Sequence, residues 1–82
     1  MTTAAAAMLL QLESDRDAGI PGRLLDLLTV QQRLPDRMTI DWQPASISFC
    51  LLFDADTALP ASLVARLRMI PGVRSVCTAA RS

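Results

Sequence analysis

Histidine, lysine, tyrosine and asparagine are all missing from this chain. Their absence removes the commonest general base, the Schiff-base amine and the phenolic acid, so an enzyme here would have to work with Asp, Glu13, Ser, Thr, Cys or Arg alone. That inventory points away from catalysis. Lysine is also the usual partner of arginine in basic patches, and here arginine alone carries positive charge. Eight basic residues balance eight acidic ones. A nucleic-acid binder shows a basic excess gathered on one face. Arg16, Arg23, Arg33, Arg37, Arg66, Arg68, Arg74 and Arg81 instead run the length of the chain, which argues against nucleic acid as a partner. Cys50 and Cys77 form no CxxC and no metal-ligand spacing. No apolar run reaches membrane-spanning length. The apolar stretch Met1 to Leu12 lacks a basic leader, and its alanines precede the bulky residues where a cleavage site would place them after. The expectation is a cytoplasmic protein, not an enzyme, with no cofactor, no metal, and neither nucleic acid nor membrane as partner.

What is present is an apolar chain, 51% hydrophobic over 82 residues. It makes one domain, residues 1–82 with a core over about 8–79, and it is small enough that pairing with another chain would add needed burial. The order of its elements follows from its punctuation. Ile-Pro-Gly occurs at 20–22, before the leucine-rich run Arg23 to Leu28, and again at 70–72, after Leu63 to Met69. Proline pre-sets φ at a helix start and ends a helix at its stop, so the copies mark a start and a stop.

Met8 to Glu13 is a short apolar segment expected as a strand, with Met8, Leu10 and Leu12 on one face and Leu9, Gln11 and Glu13 on the other. Ser14 to Ile20 is expected as a loop, its Asp15, Arg16 and Asp17 solvated. In the first helix Leu24, Leu27, Leu28 and, further on, Leu34 line one face, and Asp26 lies near the positive end of the dipole. Pro35 and Asp36 stop it. Met38, Ile40 and Trp42 alternate with Thr39, Asp41 and Gln43. After a turn at Pro44-Ala45, Ile47, Phe49, Leu51 and Phe53 alternate with Ser48, Cys50, Leu52 and Asp54, which predicts an antiparallel hairpin. Trp42 covers the sheet edge or serves as an interface anchor. Asp54 and Asp56 are spaced for a metal but lack further ligands, so Asp56 or Thr57 is expected to cap the second helix. Leu59, Leu63, Leu67 and Ile70 recur at helical spacing, with Arg66 and Arg68 at the C-terminal end. Gly72 takes a left-handed cap, and Val73 to Thr78 forms the last strand.

The order β-α-β-β-α-β predicts an α+β fold, a ferredoxin-like sandwich with a four-stranded antiparallel sheet and two helices on one face. The first and third strands are then central. Cys50 and Cys77 lie about 9–10 Å apart on the face away from the helices, too far for a disulfide. That open face carries Leu9, Gln11, Thr39, Asp41, Ser48, Cys50, Leu52 and Cys77. Uncovered apolar residues on its central strands mark it as a dimer or partner face, carried by Leu9, Gln11, Cys50, Leu52 and Cys77.

Several families share this topology. A heavy-metal chaperone needs a cysteine pair in the first loop, an RNA-recognition motif needs stacking aromatics on the central strands, and an acylphosphatase-like enzyme needs an asparagine. The cysteine pair and the asparagine are absent, and Phe49 and Phe53 fall on the expected core face, away from any stacking surface. Gly19-Ile20-Pro21-Gly22-Arg23-Leu24-Leu25 resembles the Pro-Gly-x-Leu helix opening of ACT domains. Leu63-x-x-x-Leu67-x-x-Ile70-Pro71-Gly72-Val73-x-x-Val76 resembles their second-helix ending and final strand. Gly19 stands where many members carry Asp. The resemblance implies a regulatory module that pairs through its sheets and binds an amino acid or similar effector. It is similar to the regulatory subunits of acetolactate synthase, so it implies a homodimer or higher assembly and a catalytic enzyme subunit as partner. The effector site it implies comprises Gly19, Ile20, Pro21, Gly22, Arg23 and Leu24, whose helix-start amides at Gly22, Arg23 and Leu24 could receive a carboxylate. The alternative is a structural dimer of the same fold that binds a protein and no small molecule.

Overall fold

The computed structural model describes residues 7–54 and 59–81. Asp56 and Thr57, the expected helix caps, lie outside them. The elements run β1 (Ala7–Asp15), α1 (Ile20–Val30), β2 (Arg37–Trp42), β3 (Ser46–Phe53), α2 (Ala61–Arg68) and β4 (Val73–Arg81). The four strands form one antiparallel sheet in the order β2-β3-β1-β4. The ferredoxin-like βαββαβ architecture is therefore the observed one, with β1 and β3 central.

Alternation decides which face is covered. Ile47, Phe49, Leu51 and Phe53 on β3 and Leu10 and Leu12 on β1 are buried, and they meet Ile20, Leu24 and Leu28 of α1 and Leu63 and Leu67 of α2. Each such side chain contributes roughly 1.5–3 kcal/mol when fully buried. Met8, Leu27, Met38, Ile40, Leu59 and Ile70 pack around this core, half-buried. At β4 the alternation breaks. Glu13 pairs with Ser75 but Ser14 pairs with Val73, so Arg74 is the extra residue of a β-bulge. The bulge lets Val73 and Val76 both face the helices although they are three apart.

β4 runs to Arg81, beyond the expected Thr78, and α2 spans only Ala61–Arg68, so Leu59 and Ile70 flank it. Three other departures from the sequence-based expectation have a local reason. β1 continues through Ser14 and Asp15 because both pair with β3, and Ser14 is buried with its hydroxyl donating to the Asp15 carbonyl. α1 ends at Val30, well before Pro35, so Leu34 is not on its face and is 58% exposed. The stop is a Schellman motif: Arg33 donates its N–H to the Leu28 carbonyl, Gln32 donates to that of Thr29, and Gln32 adopts the left-handed φ of 56° that glycine normally supplies. Asp26 consequently lies mid-helix, outside the first turn. Gly72 does have a left-handed φ, 94°, but as part of a turn and not as a helix cap. α2 is capped at Met69, and Val73 donates to the Ile70 carbonyl across Pro71-Gly72, the arrangement of a type II turn.

Candidate functional site

The first loop and the start of α1 are built by short-range bonds. Asp17 makes an Asx turn: its Oδ1 accepts the Gly19 N–H at 2.8 Å and its carbonyl accepts that of Ile20 at 3.1 Å. Asp17 thus does for the helix start what the cap residue, Gly19, cannot do, having no side chain. Pro21 has no N–H to satisfy. Arg23 donates to the Gly19 carbonyl at 3.2 Å, the first link of the helix, and Leu24 belongs to the ladder that follows. Of the amides expected to await a carboxylate, only that of Gly22 lacks a backbone partner.

The six expected effector residues separate by environment. Ile20 and Leu24 are core residues with no exposed surface, so only their backbone faces the loop. Gly19, Gly22 and Arg23 are exposed, and Pro21 is half-buried. A side chain added at Gly22 would meet nothing within 4 Å. Glycine within a helix costs about 0.5–1 kcal/mol relative to alanine. Neither internal packing nor a positive φ requires it here, so this small residue keeps the surface above the helix start clear.

The neighbouring charges are engaged and not merely solvated, which sequence reasoning missed. Arg16 donates to the Gln43 carbonyl at 2.9 Å and its guanidinium lies 5.5 Å from the centre of the Trp42 ring. Arg74, aimed by the bulge, pairs with Asp15 at 2.8 Å and donates to the Ala45 carbonyl at 3.0 Å. Two arginines therefore tie the turn between β2 and β3 to the first loop and to β4. These contacts are exposed, so each is worth little in stability. Trp42, at 47% exposure, sits at the sheet rim under Arg16. An aspartate two residues before a glycine was the one available signal for the Asx turn. Nothing in the sequence linked Arg16 to Trp42.

The register assembles the open sheet face in rows. Leu52, Leu9 and Ala79 form one row with Arg37 at its β2 end. Thr39, Cys50, Gln11 and Cys77 form the next, and Asp41, Ser48, Glu13 and Ser75 the third. Both cysteines are free and flank Gln11 on separate strands, about 9–10 Å apart. The expected partner residues thus share one face. Leu9, Leu52 and Cys50 are half-buried there, while Gln11 and Cys77 are exposed. Among the described residues no helix is long and apolar enough to cross a membrane.

This architecture is one that ACT domains also adopt. The fold is similar to the ACT domain from a GTP pyrophosphokinase of Chlorobium tepidum, with a TM-score of 0.73 over 94% of this chain and all of that one, at 14% identity. It is also similar to the C-terminal domain of the MgtC protein from Mycobacterium tuberculosis, with a TM-score of 0.63 over 98% of this chain and 92% of that one, at 16% identity. Identities this low establish the fold alone. No protein-family model and no curated protein matches the sequence.

Proposed function

We propose that this chain is a small regulatory module that pairs with itself, senses an amino acid or similar small effector at the start of α1, and acts on a catalytic subunit of an amino-acid biosynthetic enzyme. The observation that carries the reading is Gly22: an exposed third helical position with an unpartnered N–H and open space above it. A carboxylate there gains both the amide and the positive end of the helix dipole. Support also comes from the two similar structures, each a domain of a larger protein, one of them an ACT domain. The poor acid–base inventory supports a regulatory over a catalytic role. The open face, with its row of Leu52, Leu9 and Ala79, is the surface offered to the regulated partner.

One observation favours the alternative, a protein-binding dimer with no small-molecule ligand. Arg23 already spends its amide inside the helix, which leaves a single donor for an anion.

A thermal-shift screen against the amino acids separates the two. A ligand at 100 times its dissociation constant adds about 2.7 kcal/mol. Gly22→Asp then abolishes the shift while leaving the fold intact, since an acid in the first turn suits the dipole. Absence of a shift with every amino acid selects the protein-binding reading, and retained affinity in Gly22→Asp removes the site from this helix.

A further inference from the structure

β4 is a free edge of the sheet, 9 residues long and without proline. Its outward groups follow from the ladder. Gln43 donates to the Ser46 carbonyl, so alternate residues of β3 from Ser46 onward bond to β2 and the others bond to β1. Leu10 and Leu12 of β1 are thereby committed to β3, and Leu9, Gln11 and Glu13 bond to β4. Ser75, Cys77 and Ala79 bond back to β1 in turn, which leaves the N–H and C=O groups of Val76 and Thr78 directed outward. An independent contact agrees: the Arg68 guanidinium of α2 donates to the Val76 carbonyl at 3.1 Å.

The same edge is basic. Asp56 is the last acidic residue of the chain, and Arg66, Arg68, Arg74 and Arg81 all follow it, while the other four arginines share the preceding chain with all eight acids. α2 packs beside β4, so this positive stretch folds as one unit. Among the described residues of that unit Arg74 alone pairs with an acid, Asp15 of β1 at 2.8 Å. A second copy added antiparallel about Cys77 would set Val76 against Thr78 and bring two Arg68 guanidiniums to adjoining positions, with no acid between them. The charge therefore favours an acidic occupant over a second copy.

We infer that β4 is a docking edge for an extended, acidic segment of another protein, which adds to the sheet as a further strand. The segment's backbone takes the outward groups of Val76 and Thr78. Arg68 gives up the Val76 carbonyl to an incoming N–H and turns to a carboxylate of the segment, exchanging a neutral acceptor for a charged one. Alternation sets the side-chain pattern. Residues beside Val76 and Thr78 stand on the helix side, near Arg68, and are acidic. Those beside Ser75, Cys77 and Ala79 stand on the open face and are apolar, and they extend the row of Leu52, Leu9 and Ala79. The fitting segment thus alternates acidic and apolar residues. Without it, Arg68 covers the edge and guards it against unselective pairing.

The probe is a synthetic peptide of about ten residues that alternates glutamate and valine, with analogues carrying glutamine or lysine in place of glutamate. Titration into the full chain, followed by amide NMR, reads affinity and position together. The glutamate peptide binds about five- to ten-fold tighter than the glutamine analogue, and the lysine analogue binds weakest. On binding, the amides of Val76 and Thr78 become protected from exchange, while that of Cys77, already bonded to β1, changes little. Arg68→Met keeps an apolar stem and removes the charge, and in it the glutamate and glutamine peptides bind within about two-fold of each other. Circular dichroism checks that this variant folds; if it does not, the three peptides on the parent chain still decide. Equal binding of the glutamate and lysine peptides overturns the inference. No binding of the glutamate peptide at millimolar concentration does the same, as does binding that leaves the Val76 and Thr78 amides exchanging freely. Protection of those two amides in the peptide-free chain that is lost on dilution gives the edge to a second copy and also overturns it. None of these results bears on effector binding at α1, which the amino-acid screen judges separately.

Discussion

Replacing Gly72 with alanine tests how the two Ile-Pro-Gly segments fit together. A β-carbon at Gly72 would lie 2.8 Å from Cδ1 of Ile20, and the residue holds φ at 94°. The backbone term is about 1–2 kcal/mol for a left-handed L-residue. Pushing Ile20 off its rotamer adds about 0.5–1.5 kcal/mol, and the stiffer unfolded chain returns about 0.4–1 kcal/mol. The net loss is about 2 kcal/mol, a fall in Tm of roughly 10 °C for a domain of this size. Urea unfolding followed by Trp42 fluorescence at fixed protomer concentration measures it. Ile20→Val removes the Cδ1 methyl and costs about 0.5–1.5 kcal/mol alone. If the contact is real, the double variant is more stable than the sum of the singles by about 1 kcal/mol, because the backbone term stays and the clash goes. Gly19→Ala serves as control, since its β-carbon meets only Asp17 Oδ1 at 3.4 Å and its φ is −79°. Additivity of Ile20→Val and Gly72→Ala to within about 0.5 kcal/mol refutes the argument.

Other outcomes follow from features already described. Gln32→Gly relieves a left-handed glutamine in the Schellman turn and raises stability by about 0.5–1 kcal/mol in the same urea assay. Gly22→Ala fills open space within a helix and stabilises by a similar amount, about 0.5–1 kcal/mol. Under mild oxidation, non-reducing mass spectrometry finds no Cys50–Cys77 bridge within a chain, and a thiol reagent labels exposed Cys77 before half-buried Cys50.

The architecture was legible because its signals are redundant. Ile47, Phe49, Leu51 and Phe53 alternate without exception, and Leu63 and Leu67 repeat at helical spacing between two prolines. What escaped depended on backbone choices with no side-chain signature. Gln32 takes a glycine's conformation, so α1 ends before the proline that marks its stop in the sequence, and Leu34 lies beyond the helix face that the leucine spacing predicts. The bulge at Arg74 is a count of residues across two strands, and no local pattern announces it. The helix start was read from Pro21 and Gly22, but which amides remain available depends on the Asx turn of Asp17 and on the link from Arg23 to Gly19. Those choices reduced a three-amide cradle to the single donor at Gly22.

The contact between Ile20 and Gly72 also sets how the molecule loosens. Asp15 donates its N–H to the Gly72 carbonyl at 2.8 Å, one residue from where Val73 closes the turn after α2. The first turn of α1 and the turn after α2 are therefore stitched at one point, although about 50 positions separate them. A fluctuation that lifts the start of α1 must also release the end of α2. The amides of Asp15 and Val73 then exchange with solvent together, as one opening unit. An effector held at the start of α1 would slow both, and its presence would be felt at the first residue of the edge strand β4.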